Sequence, residues 1–219
     1  MKYRAILFDL DGTLVPSLPL WLKAFHEALG LHGVAVSDDE VVGRCFYRPW
    51  DDVAVDFGIH PREDFCLHVE AGLRSAFLEA ELYPLVRDLL AHLRKHGLLV
   101  ALVTSSPRSV VADLLLRLRL GPLFDFVISG EDAEHYKPHP EPLLAALDAL
   151  TTRAREAVMV GDSQADMLAG KAAGTATALF LPEDHARYGR ADVLRITSPD
   201  MVFSDHAELP LLLGLPPLR

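Results

Sequence analysis

Asp9-Leu10-Asp11-Gly12-Thr13 follows directly on a short apolar run, Ala5–Phe8. Two carboxylates at i and i+2 project from one side of an extended chain, and Gly12 permits a sharp departure that a side chain would hinder. Carboxylates at a strand end are costly unless a cation or hydrogen bonds satisfy them; taken alone, Asp-Gly is also an ordinary turn pair. A second apolar run ends in Val103-Thr104-Ser105-Ser106-Pro107. Hydroxyls between a strand and a helix start suit an anion, through free N–H groups and the helix dipole, or simply cap the helix. Lys137 precedes a proline and is biased toward extended backbone, where it offers a fixed positive charge to a phosphate or else lies solvated at the surface. Nothing is assigned to His135 or His139. A fourth apolar run ends in Gly161-Asp162-Ser163-Gln164-Ala165-Asp166. Asp162 sits at the strand end and Asp166 four residues on, on the same face if a helix begins there; capping would account for either acid, less readily for the pair.

The elements that must position these groups are legible as apolar patterns. Ala5–Phe8, Leu98–Val103, Phe126–Ile128, Ala157–Val160 and Ala176–Leu181 are continuous instead of alternating, as in a parallel sheet covered on both faces. Helices are predicted over Pro84–His96, from a Ser106 N-cap to about Arg119, over Glu141–Thr151, and over Gln164–Ala173 with Gly174 as its stop. This alternation predicts an α/β fold with a Rossmann-like, doubly wound parallel sheet as its core. Roughly Pro16–Leu82 breaks the pattern, with helical stretches at Leu20–Leu29, Asp38–Val42, Trp50–Phe57 and Arg62–Glu79. A structureless loop of that length is implausible, so the expected organisation is a core of residues 1–15 and 83–219 with a small helical cap, 16–82, inserted after the first strand.

All four polar signals lie at, or shortly after, the C-terminal ends of different strands, the edge where open parallel sheets bind ligands. Clustered carboxylates suit Mg²⁺; hydroxyls, helix N–H groups and a lysine suit a phosphoryl group. The chemistry this implies is Mg²⁺-assisted phosphoryl transfer.

FDLDGTLV at Phe8–Val15, VTSS at Val103–Ser106, KPHP at Lys137–Pro140 and VGDSQADMLAGKAAG at Val160–Gly174 resemble, in order and spacing, the four motifs of the haloacid dehalogenase superfamily. The resemblance covers nearly the whole chain and is greatest to the phosphoglycolate phosphatase-like and phosphoglucomutase-like branch. It implies Asp9 as nucleophile forming an aspartyl-phosphate, and Asp11 as general acid and then base, its carbonyl also on Mg²⁺. It implies Asp162 as a metal ligand with Asp166 completing or supporting that shell, Asp9 and Asp11 sharing in it. Thr104 and the Ser105 backbone would hold phosphoryl oxygens, and Lys137 would neutralise charge near Asp9 and the phosphate. Gly12 and Thr13 would shape the turn. Relatives often carry an acid followed by Ser or Thr shortly after the first motif; here Pro16-Ser17 stands instead, which puts a hinge or sugar-binding role there in doubt. Val42-Gly43-Arg44 to Arg48 resembles the specificity loop of this branch, with Arg48 as a fork for a second anionic group or, alternatively, a surface arginine.

The expected activity is therefore a Mg²⁺-dependent phosphatase acting on a small phosphorylated metabolite. A phosphosugar mutase would use the same residues and return the phosphoryl group to a sugar; a non-catalytic binding module would be expected to have lost Asp9, Asp11, Lys137 or Asp162. Dehalogenase relatives lack an acid equivalent to Asp11, and phosphonate hydrolysis is disfavoured for the same reason. GxGxxG and GxxxxGK[ST] are absent. A net charge of −10 over 219 residues argues against a broad electrostatic grip on nucleic acid or anionic membrane. The start carries no signal-peptide pattern, no stretch approaches a membrane span, and Cys45 and Cys66 are expected as reduced thiols in a cytoplasmic protein. The apolar tail, Leu209–Leu218, interrupted by Pro210, Pro216 and Pro217, is expected to dock instead of anchoring.

Overall fold

The computed structural model describes residues 2–46, 48–183, 185 and 196–218. Its strands are β1 (Ala5–Phe8), β2 (Leu99–Val103), β3 (Phe126–Ile128), β4 (Ala157–Gly161), β5 (Ala176–Phe180) and β6 (Met201–Phe203), all parallel, in the order β3-β2-β1-β4-β5-β6. The α/β, doubly wound expectation is met. β1 lies in the middle, with Phe8 opposite Leu102 on one side and Val160 on the other. Every side chain of β1 and β4 is buried, which is why these strands read as unbroken apolar runs. β6, an apolar triplet at the edge of the sheet, three residues long and partly exposed, was not anticipated.

Contacts divide the chain into two compact units, Met1–Pro16 with Glu81–Arg219, and Ser17–Ala80. Among its described residues the second unit contains four helices: α1 (Leu18–Leu31), α2 (Asp38–Cys45), α3 (Trp50–Asp56) and α4 (Arg62–Phe77). α1 buries Leu18, Ala24, Phe25, Ala28 and Leu29, and α4 buries Phe65, Val69, Leu73 and Ala76, the i, i+3/i+4 spacing of a packed helical face. α2 begins in a capping box, with Ser37 Oγ accepting the Glu40 amide. Cys45 and Cys66 are both free thiols, and burial pushes each up to about 11. Among the described residues no helix is long and apolar enough to cross a membrane.

In the first unit, α5 (Val86–Lys95) buries Val86, Leu89, Leu90 and Leu93. It starts two residues later than its apolar spacing suggested, because Leu85 takes a left-handed turn with φ 64°. α6 (Arg108–Arg117) also starts late: Pro107, not Ser106, occupies the N-cap position, since Ser106 has partners elsewhere in the fold. α7 (Glu141–Ala149) packs Leu143, Ala146 and Leu147 with Leu7, Val103, Ile128 and Met159 of the sheet. α8 (Gln164–Ala173) ends at Gly174 in the left-handed conformation, as its sequence predicts. The tail forms a short helix, Leu209–Leu212, and buries Leu209, Pro210, Leu213 and Leu215.

His206, from the segment before that helix, is 2 % exposed and sits 4.4 Å from the Phe180 ring. Its Nε2 donates to the Thr13 carbonyl at 3.0 Å. Burial holds its pKa down at about 4. The unfolded chain therefore binds this proton below about pH 6.5 while the folded chain refuses it until about pH 4, so its contribution is intact above pH 6.5 and is lost as pH falls. Urea unfolding at pH 8 and pH 4.5 should show wild type losing about 2–3 kcal/mol more than His206→Gln over that interval. Equal losses would show that His206 titrates normally in the fold.

Candidate active site

The parallel register sets the ends of β1, β2 and β4 side by side. Asp9 follows Phe8, Thr104 follows Val103, and Asp162 follows Gly161. The Asp9 amide extends the ladder by donating to the Val160 carbonyl at 2.9 Å. Asp9, Asp162 and Asp166 are each buried, and one oxygen from each lies within 4.8 Å of the others. Burying three carboxylates together is expensive, and the charges show it. Burial first, and then the Asp166 charge, push Asp9 up to about 7 against the opposing pull of Lys137. Burial and the charges of Asp166 and Asp9 likewise raise Asp162 well above the carboxylate range.

Lys137, 128 residues from Asp9 in sequence, enters this cluster with its ammonium. Its Nζ donates to Asp9 Oδ1 at 2.6 Å, to Asp166 Oδ1 at 2.7 Å and to the Val103 carbonyl at 2.9 Å. Burial works against the ammonium, but Asp166 and then Asp9 outweigh it and hold Lys137 above the ordinary lysine range. Lys137 is thus a charged, triply bonded residue and not the solvated surface lysine of the alternative reading.

Asp166 divides its two oxygens. Oδ2 closes a capping box, accepting the Ser163 hydroxyl at 2.6 Å and the Ser163 amide at 3.1 Å, while Oδ1 receives Lys137. The start of α8 therefore anchors the lysine.

Gly12 makes the turn after Asp11 with φ 73°. A Cβ there would stand 2.3 Å from Asp162 Oδ2, so only glycine lets the first loop approach the β4 carboxylate. Thr13 Oγ1 donates to Asp162 Oδ1 at 3.3 Å, a contact beyond its expected part in shaping the turn. Ser106, assigned to a helix cap by its position before Pro107, instead donates from Oγ to Asp11 Oδ2 at 2.5 Å. Its amide donates to Thr104 Oγ1 at 3.0 Å and its carbonyl accepts from Gly130. The only sequence signal for this was the run of three hydroxyls, which does not say which one faces Asp11. Thr104 is buried and Ser105 exposed at the end of β2.

The expected residues of the first unit are thus gathered at one sheet edge. Arg48 belongs to the helical unit, where its Nη1 donates to Asp56 Oδ2 at 2.5 Å and to the Arg44 carbonyl at 3.1 Å. Chemically, the edge offers hard oxygen donors for a divalent cation, a fixed ammonium, and a fourth carboxyl, Asp11, whose rotation Ser106 restrains.

A family model described as haloacid dehalogenase-like hydrolase matches residues 6–180. A protein of Yersinia pseudotuberculosis named phosphoglycolate phosphatase is 34% identical over 226 residues, covering 99% of this chain and 95% of that one. One of Bacillus anthracis named pyrophosphatase PpaX is 32% identical, covering 98% of each. Among solved structures, CbbY from Rhodobacter sphaeroides in complex with phosphate superposes with a TM-score of 0.80 at 24% identity, over 94% of this chain and 96% of that one, a likeness of fold alone.

Proposed function

The chain belongs to the haloacid dehalogenase-like hydrolase family and is an enzyme of its phosphatase kind, and from that premise we propose that it hydrolyses a small phosphorylated metabolite by way of an aspartyl-phosphate on Asp9, with Mg²⁺ as cofactor. The observation that carries this reading is the ammonium of Lys137 held between Asp9 and Asp166 beside buried Asp162. A lysine so placed fixes the rotation of the attacking carboxylate and offsets the charge an anionic substrate brings. Phosphoglycolate is the first substrate to test, after the relatives that carry that name at 31–34% identity; inorganic pyrophosphate is the second, after the relatives named PpaX.

Asp9 and Asp162, with the Asp11 carbonyl, are the residues assigned to hold the metal. The fit rests on the all-oxygen donor set and on two buried carboxylates whose raised pKa values mark an unmet need for positive charge. Bound there, Mg²⁺ supplies electrostatic stabilisation of phosphoryl oxygens. Asp9 attacks phosphorus while the ester bond breaks, and Asp11, restrained by Ser106, gives its proton to the leaving oxygen. Asp11 then takes a proton from the water that attacks the aspartyl-phosphate, releasing phosphate and restoring Asp9. Thr104 and the Ser105 amide are assigned to the phosphoryl oxygens. The helical cap is assigned substrate selection, and an anion recruited by Arg48 has to displace Asp56. A cytoplasmic site of action accompanies this reading.

Phosphate release from a panel of phosphorylated metabolites and pyrophosphate, with Mg²⁺ and with excess chelator, tests the proposal; full activity in chelator overturns the metal assignment. The pH dependence gives a second test that needs no substrate. With Asp9 at about 7 in the metal-free protein, Mg²⁺ must displace a proton below that pH. The stability contributed by the protonated group is lost as pH rises from about 4 through about 7, and Mg²⁺ restores it. The Mg²⁺-induced rise in Tm should therefore grow with pH, and at pH 5.5 half-maximal effect should need about thirtyfold more Mg²⁺ than at pH 8. A pH-independent response would remove Asp9 from the ligand set.

A further inference from the structure

A second set of ligating side chains stands on the segment that runs from His135 through Lys137 into α7. His135 Nδ1 lies 2.8 Å from Glu141 Oε2, and His139 Nδ1 lies 3.8 Å from the same oxygen. One ligating atom from each of the three residues lies within 4.8 Å of the other two. The imidazole ring centroids are 4.5 Å apart at an interplanar angle of 32°, and each ring presents its Nδ1 to Glu141 Oε2. Glu141 is oriented through its other oxygen: Oε1 accepts the Glu134 amide at 2.8 Å, which directs Oε2 at the histidines. His139 Nδ1 accepts the Glu141 amide at 3.3 Å, so the lone pair of that ring is on the nitrogen facing the group. The side chains of His135 and His139 are 56% and 50% exposed, open to a cation from solvent.

None of these groups has a part in the phosphoryl chemistry, and their donor type differs from that of the carboxylate site. Two imidazole nitrogens and one carboxylate oxygen form the donor set of borderline cations such as Zn²⁺ and Co²⁺, whereas Mg²⁺ prefers oxygen alone. Tetrahedral bonds of the usual length separate ligand atoms by about 3.3 Å. The two contacts to Glu141 Oε2, at 2.8 and 3.8 Å, bracket that spacing, so small side-chain rotations suffice. Three protein ligands leave a fourth position to water.

We propose that His135, His139 and Glu141 form a binding site for a divalent transition-metal cation of the Zn²⁺ class, separate from the Mg²⁺ site. The cation replaces the proton shared by His135 and Glu141 and the amide contact at His139. Lys137 lies between the two histidines in sequence, so ligation clasps the segment whose ammonium bonds Asp9 and Asp166.

Co²⁺ serves as the probe, titrated into the full chain already saturated with Mg²⁺ and followed by visible absorption and calorimetry. Wild type should bind one Co²⁺ with the intense d–d bands of a nitrogen-containing site of low coordination number. His135→Ala and His139→Ala should each weaken binding at least tenfold, and His135→Gln and His139→Gln, which keep more side-chain volume, should do the same. Circular dichroism confirms that each variant is folded. Asp162→Asn should keep the Co²⁺ bands, which separates this site from the carboxylate one and makes the result independent of any phosphatase activity. Absence of the bands in wild type, their loss in Asp162→Asn, or less than tenfold weakening in a folded variant at either histidine overturns the proposal.

Discussion

Asp9→Asn is expected to abolish phosphate release from every substrate, by about 10⁴-fold or more, because an amide cannot form the acyl-phosphate on which the proposed route depends. The loss should come without a loss of stability. Asp9 is buried and titrates at about 7, so at pH 8 without metal the folded protein carries an ionised carboxylate that its surroundings disfavour. Asparagine has nearly the same shape and no charge, and Lys137 keeps Asp166 and the Val103 carbonyl as partners. At pH 8 and without Mg²⁺ the variant should therefore melt no lower than wild type, while its response to Mg²⁺ weakens. Quenched reactions with labelled substrate should trap phosphate on wild type, in a form released by hydroxylamine, and none on the variant. Residual activity above about one per cent of wild type would move the nucleophile elsewhere.

Asp11→Asn should separate substrates by their leaving groups. An alkyl phosphate needs a proton on its departing oxygen, and general acid catalysis contributes about 10²–10⁴-fold, so the variant should lose about that much with such a substrate. An aryl phosphate departing as a stable phenolate needs that proton far less. Its first step should survive, and the second should stall because water is no longer activated. Rapid mixing should show a burst of phenolate followed by slow turnover, with phosphate held on Asp9. Ser106, bonded to Asp11 Oδ2 at 2.5 Å, makes the contrast sharper, because it keeps the side chain oriented in both proteins. Equal losses for both substrates with no burst would leave Asp11 with a positioning role only.

Some of this site was legible from local pattern. The ends of β1, β2 and β4 were readable because strands buried on both faces are continuous apolar runs, and a polar residue ending such a run marks the sheet edge. Asp9, Thr104 and Asp162 stand there. The end of α8 was equally local, since Gly174 is the residue that accepts the left-handed turn. β6 and the starts of α5 and α6 were not. Met201-Val202-Phe203 is an apolar triplet no longer than β3, and its pairing with β5 at the sheet edge made it a strand; the helix starts were decided by Leu85 φ and by the partners of Ser106.

By itself, then, the sequence determined the α/β alternation, the sheet edge and the set of residue types collected there, because each depends on spacing along a few consecutive residues. Pairing was decided only by the tertiary structure. Lys137 reads locally as either a phosphate partner or a surface lysine, and the fold decides between them by carrying it across 128 residues of sequence to Asp9. Asp166 looks like a metal ligand or a first-turn acid, and becomes the bridge between the Ser163 cap and Lys137. Ser106 has the local signature of a cap, and gives it up for a carboxylate 95 residues away. The physical reason is the same in each case. A charged or hydroxyl group removed from water must find a partner at hydrogen-bond distance, and which partner lies there is set by strand order and register, which no local pattern contains.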